Sequence, residues 1–144
     1  MLGIFSAIDI SASGLSAERT RMNTIASNLA NAQTTRTAAG GPYKRVDPVF
    51  EAIALDKMHA LSPSERSVSQ VHVTQIVQDQ RSGHMVYSPG HPDANKDGYL
   101  EYPNVNIVEE MVNMISASRA YEAGISSVEA TQKMASSALE LGRV

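Results

Sequence analysis

Apolar side chains recur along this chain with two rhythms. From about residue 4 to 34, Ile8, Leu15, Met22 and Leu29 return every seven residues, and Phe5, Ala12, Ile25 and Ala26 fall on the rows beside them. That recurrence predicts one long helix with a narrow seam of coiled-coil type. Ser6 with Asp9 three residues on has the form of a capping box. Arg19 interrupts the second row. Gly14 weakens the helix by roughly 1 kcal/mol relative to Ala, or admits a close neighbour. Thr34, Thr35 and Thr37, then Gly40-Gly41-Pro42, close the segment.

The rhythm returns near the other end. Between about 106 and 141, Met111, Ile115, Tyr121, Ile125, Val128, Ala135 and Leu139 recur at threes and fours, with Ser118 and Gln132 interrupting. This predicts a second long helix. Asn106 is placed to cap it, Glu109 and Glu110 suit the positive end of its dipole, and Gly142 suits its stop. Glu129 and Lys133 pair four apart on the outer face.

All 6 prolines lie between Pro42 and Pro103, where the period changes to two. Ser67–Asp79, with Ser69, Val71 and Val73 alternating before Ile76-Val77, reads as a strand. Tyr43–Ala54 and His84–Tyr87 are further strands, and Lys57–Arg66 reads as a loop. Asp97-Gly98 before Tyr99-Leu100 reads as a hairpin turn entering a short strand. The expected fold is mainly α with a small antiparallel β region. Residues 1–41 hold the first helix, 42–103 the β and loop region, and 104–144 the second helix. Helices of about 30 residues are about 45 Å long, and the β region is too small to cover both seams. Burying about 600 Å² of such surface between copies contributes on the order of 15 kcal/mol before entropy is subtracted. Immobilising a subunit offsets much of this. Head-to-tail contacts that do not close would give an open filament.

Composition sharpens this expectation. The chain has 144 residues, no Trp, and only Phe5 and Phe50 as phenylalanines; aromatics make up 5%, which is thin material for a self-sufficient core. The net charge of −3 comes from mixed acids and bases, which argues against a nucleic-acid partner. Without cysteine there are no disulfides and no thiolate metal sites. The N-terminus lacks a basic region and carries Asp9 in its apolar run, unlike a cleavable signal peptide. No stretch reaches the ~20 apolar residues of a membrane span.

Candidate chemistry is sparse. Asp93, Asn95 and Asp97 before Gly98 match the first half of a calcium loop. The twelfth position is Asn104, where a bidentate Glu is required, so an Asp/Asn/Gly turn is the favoured reading. His59, His72, His84 and His91 lack zinc spacing. There is neither a Gly-x-Ser-x-Gly elbow nor a phosphate loop, so no catalytic residue, cofactor or small-molecule substrate is expected. Met111 and Met114 fit gap-filling in a seam better than an adaptable groove. Asn28 and Asn31 sit either on a solvated face or between helices, where buried amides fix one register.

Two segments carry a resemblance to a known family. IASNLANAQTT, from Ile25 to Thr35, followed by Tyr43-Lys44-Arg45, resembles the N-terminal motif of flagellar rod and hook proteins. NVNIVEEMVNMISASRAYE, from Asn104 to Glu122, resembles their C-terminal helix motif. The run from Tyr87 through Asp97-Gly98-Tyr99 to Pro103, with the short overall length, is most similar to the proximal-rod branch. Gln33 and Gly124 stand where Asn is common in the family. The resemblance implies a structural, non-enzymatic subunit of the basal-body rod, the drive shaft crossing the periplasm. It implies terminal helices packed in an inner coiled-coil tube and export through the flagellar type III apparatus. The implied partners are copies of itself, other rod proteins and the adaptor near the export gate. The assembly seam expected on these grounds comprises Phe5, Ile8, Leu15, Met22, Ile25, Asn28, Leu29 and Asn31, with Met111, Ile115, Tyr121, Ile125, Val128 and Leu139.

Overall fold

The computed structural model describes residues 2–54 and 69–142, with side chains from residue 6 onward. The expected loop Lys57–Arg66 and the side chain of Phe5 therefore lie outside the described residues. Two long helices, α1 (Leu2–Ala30) and α2 (Ile107–Leu141), flank four strands: β1 (Val46–Ala54), β2 (Ser69–Gln78), β3 (Met85–Tyr87) and β4 (Tyr99–Glu101). The fold is mainly helical with a small antiparallel β region, as the periodicities predict. Strands β1 and β2 form one two-stranded sheet and β3 and β4 another. In the second, Met85 faces Glu101, Val86 faces Leu100 and Tyr87 faces Tyr99.

Helix boundaries follow from side chains that take up the free backbone groups. Helix α2 starts where Asn106 Oδ1 accepts from the amides of Val108 and Glu109 at 3.1 and 3.4 Å. Helix α1 ends about four residues before the expected stop. There Asn31 Nδ2 donates to Ser27 O, Asn31 Oδ1 accepts from Thr34 Oγ1, and the Ala32 and Thr34 amides bond three residues back. These tight turns replace the helical pattern. Because α1 already runs from Leu2, Ser6 and Asp9 lie inside it and not at its start.

The chain forms two compact units. One comprises Met1–Thr20, Val49–Gln75 and Ala117–Val144, and the other Arg21–Pro48 and Ile76–Ser116. In the first, Ala17 and Ala117 are buried, the Val71 amide donates to Ser13 Oγ at 3.2 Å, and Leu15 packs onto Gly124. In the second, the interior holds Ile25, Ala32, Leu100 and Pro103 beside Thr24, Asn28 and Glu110. The turn before β4 needs a left-handed residue, supplied by Gly98 at φ +79°. No described helix is long and apolar enough to cross a membrane.

The glycines of the first unit differ in one respect that can be measured. A Cβ on Gly14 would meet nothing within 4 Å, whereas one on Gly124 would sit 2.8 Å from Leu15 Cδ2. Gly14→Ala should therefore collect most of the helix-propensity gain of about 1 kcal/mol. Gly124→Ala should return less than half of it, because Leu15 must move. Urea unfolding of the two variants checks this, and equal gains would show that the Leu15 contact does not form.

Candidate functional site: a polar clamp beside an apolar stripe

The second unit is organised around the backbone of Arg45 and Val46, where the chain enters β1. Asn28 projects from the last turns of α1. Its Nδ2 donates to Val46 O at 2.9 Å, and its Oδ1 accepts from the Val46 amide at 3.0 Å. One side chain thus pairs with both backbone groups of Val46, as a neighbouring strand would. The same amide gives its second hydrogen to Glu110 Oε2 at 3.0 Å and accepts from Tyr43 Oη at 3.0 Å. All four bonding positions of Asn28 are filled, at 1% exposure.

Asn104 holds the preceding residue. Its Oδ1 accepts from the Arg45 amide at 2.8 Å, and its Nδ2 donates to the carbonyls of Asp79 and Arg81 at 3.3 and 3.1 Å. The Asp79 amide donates to Arg45 O at 2.8 Å. The two asparagines come from the two motif segments, which meet here in space.

Charge completes the clamp. Glu110 is fully buried, and its Oε1 accepts from Arg45 Nε at 2.7 Å. Arg45 also pairs through Nη1 with Asp47. Burial lowers the affinity of Arg45 for its proton; the hydrogen bond and charge of Glu110, with Asp47, outweigh this and raise it. Further out, the Arg81 side chain and amide bond the Asp79 carboxylate and hold its pKa down at about 2.

On the same turns of α2, Ile107, Val108, Met111, Val112 and Ile115 are exposed. At 100° per residue they share an arc of about 140°. Glu110, one residue from Met111, points inward. Nothing in the second unit covers this stripe.

The expected seam residues divide by exposure. Ile25 and Asn28 are buried, and Ile8, Leu15, Met22, Leu29, Asn31, Tyr121 and Val128 are half-buried. Met111, Ile115, Ile125 and Leu139 are exposed. Asn28 reaches across to α2, whereas the Asn31 side chain bonds Ser27 and Thr34 at its own helix end. Glu110, Asn104 and Arg45 were not singled out as site residues. The motif positions of all three were the available clue, and Glu110 also stands in a first helical turn.

The calcium-like segment has other employment. Asp93 Oδ2 accepts from Thr35 Oγ1 at 2.9 Å and its Oδ1 lies 3.5 Å from Arg36 Nη1. Asn95 Oδ1 accepts from the amides of Asp97 and Tyr99, each at 2.9 Å. These side chains tie the loop after α1 and shape the turn into β4. Among the described residues no three His, Cys, Asp or Glu side chains converge as metal ligands.

A polar clamp built from both terminal motifs, beside an uncovered helix face, is the arrangement of a scaffold that presents a surface. The profile described as "Flagella basal body rod protein" matches residues 8–36, and that described as "Flagellar basal body rod FlgEFG protein C-terminal" matches residues 96–141. The chain belongs to the flagellar basal-body rod proteins, and it is a structural subunit located in the basal-body rod of the bacterial flagellum. Its relatives over nearly the whole length carry the name flagellar basal-body rod protein FlgC. That of Borreliella burgdorferi is 41% identical over 97% of this chain and 98% of its own. That of Bacillus subtilis is 37% identical over 96% and 98%, and that of Salmonella typhimurium 36% over 99% and 100%.

The clamp has measurable consequences. Glu110→Ala leaves the Asn28 amide without its acceptor and Arg45 with Asp47 alone, and should cost about 3 kcal/mol in urea unfolding. Asn28→Leu should cost a similar amount, because it strands both backbone groups of Val46. Losses under about 1 kcal/mol would show that the clamp is solvated. The Asp79 carboxyl should titrate near pH 2 by NMR, returning toward 3.8 in Arg81→Ala. Since its pKa is lowered on folding, its contribution to stability is complete above about pH 4 and fades as pH falls through about 2.

Proposed function

We propose that the chain is a proximal-rod subunit whose terminal helices pack against neighbouring helices to form an inner tube that transmits torque across the periplasm. In this reading residues 1–41 and 104–144 belong to the helical inner core, and 42–103 form the β region that links them. The contact residues are the seam of α1, from Phe5 and Ile8 to Leu29 and Asn31, and that of α2, from Met111 to Leu139. Partners are further copies, other rod proteins and the adaptor near the export gate, reached by way of the flagellar type III export apparatus. No catalytic group, cofactor or small-molecule substrate enters the proposal.

The observation that carries it is the stripe of Ile107, Val108, Met111, Val112 and Ile115, exposed although Glu110 and Leu100 of the same unit are buried. A fold able to bury Leu100 to 2% yet leaving Val108 70% exposed has its apolar surface on the outside. Torque passes through a rod by shape and by many simultaneous contacts, which a stiff helix with a clamped start supplies.

Val112→Asp tests this. Val112 is 61% exposed, so the isolated variant should keep its helical content and unfolding midpoint. A carboxylate inside a helix interface is strongly unfavourable, so rods and swimming should be lost. Normal basal bodies with the variant incorporated would overturn the proposal.

A further inference from the structure

Asp97-Gly98 is the one place in the chain where glycine follows an aspartate or an asparagine. A peptide of this kind has a reaction of its own. The glycine nitrogen, unhindered by a side chain, attacks the carboxyl of the aspartate before it. The N–Cγ bond forms, the carboxyl hydroxyl leaves with the amide proton as water, and a five-membered succinimide remains. Water then opens the ring. Opening at the side-chain carbonyl restores aspartate. Opening at the main-chain carbonyl breaks the original peptide bond and leaves isoaspartate, with the chain running through Cβ and Cγ. One water leaves and one enters, so no oxidant, reductant or other reactant is needed.

The turn into β4 exposes the carboxyl and withholds the nitrogen. Asp97 is exposed, whereas Gly98 is buried at φ +79°. The Gly98 amide donates to Asn95 O at 3.0 Å, and the Gly98 carbonyl accepts from the Ser88 amide at 2.8 Å. Asn95 Oδ1 accepts from the amides of Asp97 and Tyr99, each at 2.9 Å, and the Asn95 amide donates to Tyr99 O at 2.8 Å. Asn95 alone therefore makes four of the bonds that fix this turn. Above it, a Cβ on Gly98 would lie 2.9 Å from Tyr87 Cε2 and 3.2 Å from Pro89 Cβ, so these side chains lie over the glycine.

We propose that Asp97 is a modification site, converted to isoaspartate when this turn opens, and that Asn95 is the residue that keeps the turn closed. The inference does not depend on the rod-subunit reading. Inside a folded protein such a reaction proceeds through the locally open population, which the bonds of the turn set. The product is not neutral for the fold. Isoaspartate adds one atom to the main chain between Asp97 Cα and Gly98 N. Gly98 then cannot meet both Asn95 O and the Ser88 amide while Leu100, two residues on and 2% exposed, stays opposite Val86. An isomerised chain should lose the β3–β4 pairing.

The test is an ageing experiment on the purified full-length chain at neutral pH. Isoaspartate is measured by enzymatic methylation of its free α-carboxylate and located by peptide mapping. The folded chain should convert slowly. The same chain in urea, and the Asn95→Ala variant without urea, should convert at Asp97 about fivefold faster or more, the factor that follows from losing one net hydrogen bond. Asn95→Asp keeps an acceptor oxygen for both amides and should stay near the original rate. Asp97→Glu, whose reaction needs a six-membered ring, should remove the signal. Should Asn95→Ala fail to fold, Asn95→Gln replaces it, since its amide lies one carbon further from the turn. Equal rates in the folded and urea-treated chain would overturn the proposal. So would an unchanged rate in the folded Asn95 variant, or isoaspartate accumulating at another aspartate instead.

Discussion

Val46 is held at both its amide and its carbonyl by one side chain, Asn28, and that contact decides how the second unit is put together. A backbone segment crossing a helix pair must satisfy its polar groups, or each buried group costs on the order of 1–3 kcal/mol. A strand neighbour would satisfy them but needs a sheet. An asparagine amide presents the same donor and acceptor from a helix, and here it has a remaining hydrogen for Glu110 and an acceptor position for Tyr43. Asn104 repeats the solution one residue earlier. The chain between the helices is therefore placed by side-chain amides. Only a residue that both donates and accepts can do this, so neither Asp nor Leu would serve in place of Asn28.

Much of the fold was legible in the sequence because it rests on local rules. The seven-residue recurrence located α1, the threes and fours located α2, Asn106 marked where α2 starts, and Asp97-Gly98 marked the turn into β4. The clamp was legible only in part. An amide at Asn28 invited a registry reading, but its partners Val46 and Glu110 lie 18 and 82 residues away in the chain. Periodicity carries no information about such pairs. Glu110 was read as a dipole-facing acid in a first helical turn. Its neighbour Glu109 is in that position and exposed, while Glu110 is turned inward. The sequence alone does not separate two adjacent glutamates, because their difference is one of azimuth.

The seam of α2 shows why greasiness is an incomplete guide to burial. In the second unit the covered positions of α2 are Glu110, Asn113 and Met114; in the first they include Ala117, Tyr121, Gly124 and Val128. These follow one another at threes and fours, the spacing of a packed helix row. Several are small or polar, so a search for large apolar side chains passes over them and selects Met111, Ile115, Ile125 and Leu139 alongside. Small residues permit close approach, as Gly124 does for Leu15. Of the larger apolar residues Met111, Ile115, Ile125 and Leu139 stand on the outside, while Met114, Tyr121 and Val128 are half-buried. A monomer selected only for its own stability would reverse this distribution.

The clamp and the stripe share a few turns of one helix, and this couples them. Glu110 and Met111 are adjacent, so their side chains diverge by about 100° around the axis. With Glu110 tied to Arg45 and Asn28, α2 has one rotational setting, and at that setting Met111, Val112 and Ile115 point outward. Rotation by one residue would bring Met111 to the Arg45 guanidinium and send Glu110 to solvent, breaking a buried ion pair worth several kcal/mol once one partner is lost. An apolar row has no such preference of its own, since neighbouring settings bury comparable hydrocarbon. The polar contacts supply the direction and the apolar contacts supply the area. A subunit that must present the same face in every copy of a polymer needs the first to make use of the second.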